Sequence, residues 1–452
     1  MKYGTPVSGT ISSVSPEGPG VFEKDGRTFA VRFAVPGDQV DGTFRRRDKK
    51  TLFLDAQVTS PSSDRVTPRC PFAGRCGGCA WQQMDYPAQL EWKRRLVHQA
   101  LGDHIGSPLP PVEPSPDIFY YRNRMDYVFG TDGTLGLKEP EKWWSVLDLT
   151  DCHLLSPETP RILAEVRVWA KRHGLTFWNG RSGTGLLRYL MIREGKHTGE
   201  RLLNLVTSAE PLPDDAAHDL VARLSPLATS IVHGVQPKIT DLSLAETFRV
   251  LHGSLELHEK LTDHAFAIHP NSFFQTNTKG AEQIVHTLRG IFGADRTEQA
   301  LLDLYCGVGA LGINLADRFK TVRGIEVDAD AIALAQKNAA ANDIGNATFE
   351  AAKVEDVVTR PGAALAEQMS TSDAVILDPP RAGLHPRVVK TLVASGPADA
   401  VYVSCNYRML ARELPEILTA YRIASIRLVD LFPHTPHVET VVHLQRTSKR
   451  GT

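Results

Sequence analysis

Beyond residue 297 the apolar positions fall in short unbroken runs, ALLDLY, TVRGIEV, DAVILDPP and AVYVSC, separated by stretches rich in Ala and Leu. Unbroken apolar runs mark strands buried on both faces, and their alternation with helical stretches predicts a doubly wound α/β unit with a parallel sheet. We set this unit at residues 269–452. The chain begins with a different pattern. Over residues 1–59, Val, Ile, Phe and Thr alternate with polar residues between Pro-Gly, Asp-Gly and Pro-Gly-Asp turns. This predicts five short strands in a small β-barrel or open sheet. The Ser- and Pro-rich VTSPSSDRVTPRC then reads as a linker. Residues 60–268 combine an amphipathic helix in YPAQLEWKRRLVHQAL with strand-like NRMDYVFGT, LLRYLMIREG and ERLLNLVT, which predicts a central α+β unit.

The 452 residues exceed what one core usually organises, in keeping with three units. No apolar run approaches a membrane span, and the opening MKYGTPVSGT has no secretory pattern, so the expectation is a cytoplasmic protein, with a monomer as the default state. With 51 basic and 52 acidic side chains there is no global field to attract nucleic acid, so any such contact must be local. Candidate patches are Arg45, Arg46, Arg47, Lys49 and Lys50, then Arg122 with Arg124, then Arg188 with Arg193. In a reducing compartment the six cysteines are expected as ligands, nucleophiles or buried apolar groups rather than disulfides.

The string LLDLYCGVGALGINLA carries a strand into Gly307, Gly309 and Gly312, the glycine turn of a nucleotide-binding βα unit. Glu326 ends the next apolar run, GIEVD, where a carboxylate can accept from both ribose hydroxyls. A dinucleotide and S-adenosylmethionine both fit. Asp303, just before the turn, favours the second, because a carboxylate there repels pyrophosphate and attracts an ammonium. Two further strand ends carry LDPPR, with Asp378, and VSCNY, with Cys405, at the edge where open α/β sheets bind ligands. A last motif, LFPHTPHVETVVHLQR, sets Glu439 at the start of the final strand.

FFQTN, DLYCGVG, GIEVD, LDPPRAGL, VSCN and FPHTPHVE occur in the order found in the RNA uracil-C5 methyltransferases, and the chain resembles that family throughout. The resemblance implies a Rossmann-like, S-adenosylmethionine-dependent methyltransferase domain. It implies Cys405 as the nucleophile that adds to uracil carbon 6 and Glu439 as the general base. Gln275, Tyr305, Glu326 and Asp378 are then the cofactor residues, and Phe273 or Phe274 is expected to replace stacking lost by a flipped uridine. The N-terminal sheet, with VPGD at residues 35–38, resembles the OB-like RNA-binding TRAM barrel of several members. Cys70, Cys76, Cys79 and Cys152, in CPFAGRCGGCAWQQ and TDCHLL, are expected to hold a [4Fe-4S] cluster, with zinc as the alternative. Substrates implied are ribosomal or transfer RNA, and FPHTPHVE and CGGC favour the ribosomal members. Competing readings are methylation of another base, or an RNA-binding folding factor with an inactive methyltransferase domain. The chain departs from the pattern at Tyr407, where a proline commonly follows Ser-Cys-Asn, and at Ala310 and Lys353, where polar contacts to the cofactor are common.

Overall fold

The structure, a computed structural model, describes residues 1–106, 108–357 and 365–447. Its largest element is an eight-stranded sheet. In spatial order the strands are Ala347–Ala351, Phe319–Glu326, Arg296–Leu304, Ala374–Leu377, Asp399–Ser404, Glu439–Arg446, Tyr421–Val429 and Val112–Glu113. The first five are mutually parallel, and the inner three are continuously buried over Leu301–Leu304, Ala374–Leu377 and Asp399–Ser404, as their unbroken apolar runs predict, while the edge strand Ala347–Ala351 is largely exposed. The sheet as a whole is mixed rather than parallel. The final strand follows Tyr421–Val429 by a short hairpin connection, which forces antiparallel pairing, and it inserts between that strand and Asp399–Ser404.

Helix Tyr86–Leu101 and strand Val112–Glu113 come from the region expected to form the central unit, yet they pack on this sheet. Proline at the second helical position suits the helix start. The helix buries Lys93, whose ammonium lies 2.5 Å from Asp430 with both side chains fully buried, and Lys93 also donates to the Phe432 carbonyl at 3.0 Å. Burial pulls the Lys93 pKa down and Asp430 opposes that pull. The Tyr86 hydroxyl donates to the other Asp430 oxygen at 3.0 Å, and Gln89 accepts from the His434 amide at 2.8 Å. One face of the helix therefore fixes the loop that leads into Glu439.

The central sheet has seven strands, in the order Lys142–Asp148, Leu135–Glu139, Arg124–Phe129, Leu187–Glu194, Arg201–Thr207, Ser230–Val235 and Thr247–His252. Helices Thr159–Arg172 and Asp214–Leu224 bury Trp169, Ile162 and Leu220 in its core. Arg188 and Arg193, expected on a nucleic-acid surface, are about 1% exposed. Arg188 donates to the carbonyls of Gln236 and Lys238 and covers the Trp178 ring at 4.4 Å, while Arg193 donates to the Ser272 carbonyl. They tie loops together and meet no solvent.

The N-terminal residues form a six-stranded sheet, one strand more than expected, because the two residues Ser13–Val14 pair with Gly20–Lys24. It curls until Gly9 abuts the Phe22 ring, where a Cβ would clash at 2.2 Å. Phe22, Phe29, Val31, Val40 and Leu54 fill its core. Among the described residues no helix is long and apolar enough to cross a membrane.

Removing one member of a buried ion pair strands the other, at a cost of about 3–5 kcal/mol. Asp430→Asn is therefore expected to lower the first thermal unfolding transition by several degrees, whereas Lys93→Met with Asp430→Leu restores most of it. Equal melting of Asp430→Asn and wild type would show that the pair does not anchor the helix.

Candidate active site

The glycine turn is built by backbone geometry. Tyr305, Gly307 and Gly309 all have positive φ, at 64°, 53° and 82°. Gly312 is required by space, since a Cβ there would lie 2.9 Å from an Asp303 carboxylate oxygen, the atom its amide donates to at 3.0 Å. Glu326 closes the adjoining loop by accepting from the amides of Val327 at 2.6 Å, Asp328 at 3.1 Å and Gly307 at 3.3 Å. Its carboxylate is thus aimed over the turn by three donors.

Sheet register sets the next pair. Ser404 pairs with Thr440 across the antiparallel ladder, so the following residue, Cys405, lies opposite the preceding one, Glu439. The Asn406 side chain donates to the Arg381 carbonyl at 2.8 Å and fastens the Cys405 loop to the Asp378-Pro-Pro-Arg381 loop. Tyr407 is the first residue of helix Tyr407–Ile417, a position whose amide needs no helical partner, and its buried ring packs in the core. The loop is therefore completed without proline.

Gln275, Tyr305, Glu326, Asp378, Cys405 and Glu439 all line one cavity of about 790 Å³. Both phenylalanines line the cavity, Phe273 66% exposed and Phe274 buried with its ring against Phe266. Ala310 and Lys353 line the same cavity. Arg122, Arg381 and Glu355 also do, and the sequence reading had given none of them a place in the pocket. Arg381 follows the Pro-Pro strand exit directly, and that position at a ligand-binding sheet edge was the available signal.

The electrostatics are those of a dry acidic pocket, with five carboxylates against three cations on its wall, a balance that favours a cationic ligand. Burial pushes Glu439 up to about 8, with Asp378 adding to the rise and Arg381 opposing it. Burial likewise raises Asp378 to about 7, against a hydrogen bond from Gln275, and Asp303 to about 8. One Glu439 oxygen is buried with no hydrogen-bond partner. A nucleophilic thiol is ordinarily served by a lowered pKa, whereas burial, then Glu439 and Asp378, raise the Cys405 thiol to about 11, with Arg381 opposing.

Cys70, Cys76, Cys79 and Cys152 line a second, small cavity. Burial pushes all four thiols up, Cys76 to about 11 and Cys79 to about 12, and they also repel one another as anions. Among the described residues no three His, Cys, Asp or Glu side chains stand in metal-holding geometry. The donor chemistry of the four fits a thiolate-bound group.

A family profile described as tRNA (uracil-5-)-methyltransferase matches residues 249–447. The chain is 36% identical to the tRNA (uracil(54)-C(5))-methyltransferase of Pyrococcus horikoshii, over 97% of this chain and 100% of that one. It is 33% identical to an uncharacterized RNA methyltransferase of Nitratidesulfovibrio vulgaris, over 96% and 95%. The crystal structure of the Pyrococcus abyssi tRNA (uracil-54, C5)-methyltransferase in complex with S-adenosyl-L-homocysteine superimposes with a TM-score of 0.79 at 34% identity, covering 97% of this chain and 100% of that one. With its glycine turn, its acidic pocket and its cysteine facing a buried glutamate, this chain belongs to the S-adenosylmethionine-dependent RNA uracil-C5 methyltransferases.

Proposed function

We propose that the chain converts a uridine of transfer RNA to 5-methyluridine through a covalent adduct on Cys405. The observation that carries the reading is the ladder register that sets Cys405 opposite the buried Glu439, one oxygen of which has no hydrogen-bond partner, in the same pocket as the glycine turn. Transfer RNA replaces the ribosomal RNA favoured from sequence motifs, supported by the names of the Pyrococcus relatives.

Carbon 5 of uracil is too weak a nucleophile to take a methyl group unaided. The Cys405 thiol releases its proton to solvent, the thiolate adds to carbon 6, and the ring electrons move onto O4 as an enolate. S-adenosylmethionine, when bound, supplies the methyl group and a sulfonium charge that favours the ionised forms of the thiol and the carboxylates. The enolate returns its electrons through carbon 5, which forms the new carbon–carbon bond while the methyl–sulfur bond breaks. Glu439 takes the proton from carbon 5, and those electrons restore the ring double bond and expel the Cys405 thiolate. A carboxylate raised to about 8 is a stronger base than an exposed one and is matched to neutral pH.

Gln275, Tyr305, Glu326 and Asp378 are assigned to the cofactor, and Phe273, exposed at the wall, to the face of the flipped base. The curled sheet of residues 1–59 is read as a TRAM-type RNA-binding barrel, residues 60–268 as the cluster-bearing unit and residues 269–452 as the methyltransferase unit. The four cysteines around one cavity support a [4Fe-4S] cluster. Zinc, with Zn–S bonds of about 2.3 Å, draws its thiolates closer together than a cluster does. One chain supplies every group of the pocket, which supports a monomer.

Incubation with methyl-labelled S-adenosylmethionine and unmodified transfer and ribosomal RNA tests the reading. Wild type is expected to yield 5-methyluridine and Cys405→Ala to lose at least about a thousandfold in rate. Glu439→Gln should lose about 10²–10⁴-fold and accumulate RNA bound to protein. Full activity in Cys405→Ala would sink the covalent mechanism, and label on ribosomal RNA alone would sink the substrate.

Phe273→Ala should raise KM for RNA by about five- to a hundredfold, the size of one stacking contact, with affinity for S-adenosylhomocysteine unchanged. An unaltered KM would remove Phe273 from the base site.

Glu439 also predicts a pH dependence of stability. Below its ordinary value of 4.5 it is protonated in the folded and unfolded chain alike, but from there to about 8 only the folded chain keeps the proton. Folding is thus weakened as pH rises through that window. Melting temperatures between pH 5 and 8.5 should fall less steeply for Glu439→Gln than for wild type, and parallel curves would contradict the raised value.

A further inference from the structure

Outside the catalytic pocket, a groove of about 1040 Å³ adjoins it, with Arg122, Thr276 and Arg381 lining both. The N-terminal segment contributes Glu17 to this groove, the seven-stranded sheet Arg124 and Lys138, and helix Tyr407–Ile417 Arg408. Its far end is formed by residues 138–140 and 241–243, which a 2.5 Å ion pair between Lys138 and Asp241 holds together.

Just past that end, the edge strand Lys142–Asp148 breaks its pairing register between Lys142 and Val146. Neighbours in a regular strand point to opposite faces, but this irregularity leaves both Trp143 and Trp144 in solvent, 54% and 58% exposed. Their rings meet edge to face with centroids 5.7 Å apart, and the Arg181 guanidinium lies 5.3 Å from the Trp143 centroid. Ile239, 69% exposed, adjoins the same 181–183 loop. The turn that presents the indoles is fixed. Glu141 is bonded by Arg32 at 2.7 Å and by Arg46, which also covers the Phe53 ring at 3.9 Å. Arg46, a candidate for nucleic-acid contact by sequence, is instead the fastener between the N-terminal sheet and this hairpin.

Two adjacent exposed indoles are a large apolar expenditure that a chain retains at interaction sites. We propose that Trp143, Trp144 and Arg181 form a stacking site for one or two unpaired bases of the RNA whose uridine enters the catalytic pocket. The inference rests on an RNA substrate and not on which RNA it is. Indole faces and a guanidinium plane are the surfaces on which splayed bases stack, and the groove lies between the pocket it adjoins and the turn that presents them. A second copy of the chain or another protein would need a broad apolar surface, and here the apolar residues are flanked by Arg181, Arg45 and Lys142.

The test uses whichever RNA fraction, transfer or ribosomal, the wild-type enzyme methylates, taken unmodified from cells lacking the enzyme. Trp143→Ala and Trp144→Ala should each raise Kd and KM for that RNA by about five- to a hundredfold, with kcat at saturating RNA and S-adenosylhomocysteine affinity unchanged. Trp144→Phe should recover most of the loss. The slope of log Kd against log salt should stay at the wild-type value, because stacking releases no counterions, whereas Arg408→Ala should make it shallower. RNA affinity within about twofold of wild type in both alanine variants and in the double variant would overturn the site, since even the weakest stacking contact is worth more. So would unchanged RNA affinity accompanied by loss of a wild-type dimer in sedimentation, which would make the patch an interface between copies. Failure of tRNA to be the methylated fraction would overturn the substrate reading alone.

Discussion

The antiparallel insertion of Glu439–Arg446 between Asp399–Ser404 and Tyr421–Val429 is the constraint on which the site depends. A parallel strand at that position would bring its C-terminal end to the ligand edge, as its neighbours do. Reversed, it brings its first residue there instead, and that residue is Glu439. The register is then fixed by burial, because Val441, Val442 and Leu444 fill both faces of the sheet and a one-residue slip would turn the whole strand over. Two side chains far apart in sequence thus face each other through backbone pairing rather than through a loop.

The loop before that strand could still swing, and the first helix of the chain prevents it. Tyr86, Gln89 and Lys93 recur on one face of helix Tyr86–Leu101, and each bonds to the segment between Asp430 and His434. A surface ion pair would add little. The fully buried Lys93–Asp430 pair is specific because any displacement strands a charge in the core. The same dryness acts inside the pocket, where Asp303, Asp378 and Glu439 are all pushed toward neutral pH by burial. Carboxylates held close to titration respond strongly to a positive charge placed among them, which couples binding of a cationic donor to readiness of the base.

Much of this was legible in the residues. The unbroken apolar runs marked the parallel strands, and the Gly307, Gly309 and Gly312 spacing with Glu326 marked the turn, because local geometry alone demands those residues. The six positions expected in the site do share one pocket. Less legible was whatever depends on distant pairing. Nothing in YPAQLEWKRRLVHQAL says that it packs on a strand more than 300 residues later in the chain. The run from Arg45 to Lys50 reads as a basic surface, but Arg46 is consumed by Glu141 and Phe53. Arg188 and Arg193 read as cations for a polyanion, and tertiary burial made them caps for loop carbonyls. The Cys405 thiol shows the same limit, since a nucleophile's pKa is set by neighbours that the sequence does not order in space.

The sharing of Arg122, Thr276 and Arg381 between pocket and groove bears on how the molecule joins recognition to chemistry. Arg122 follows Tyr121, whose hydroxyl donates to the Pro433 carbonyl, and its backbone bonds to Leu154, two residues beyond Cys152. Thr276 lies between Gln275 in the pocket and Asn277, whose side chain bonds to the Leu431 carbonyl. Arg381 lowers the pKa of Cys405 and Glu439 from the groove side. Arg381 therefore belongs to both spaces, so the charge that opposes the rise of Cys405 and Glu439 is carried by a residue that also walls the groove.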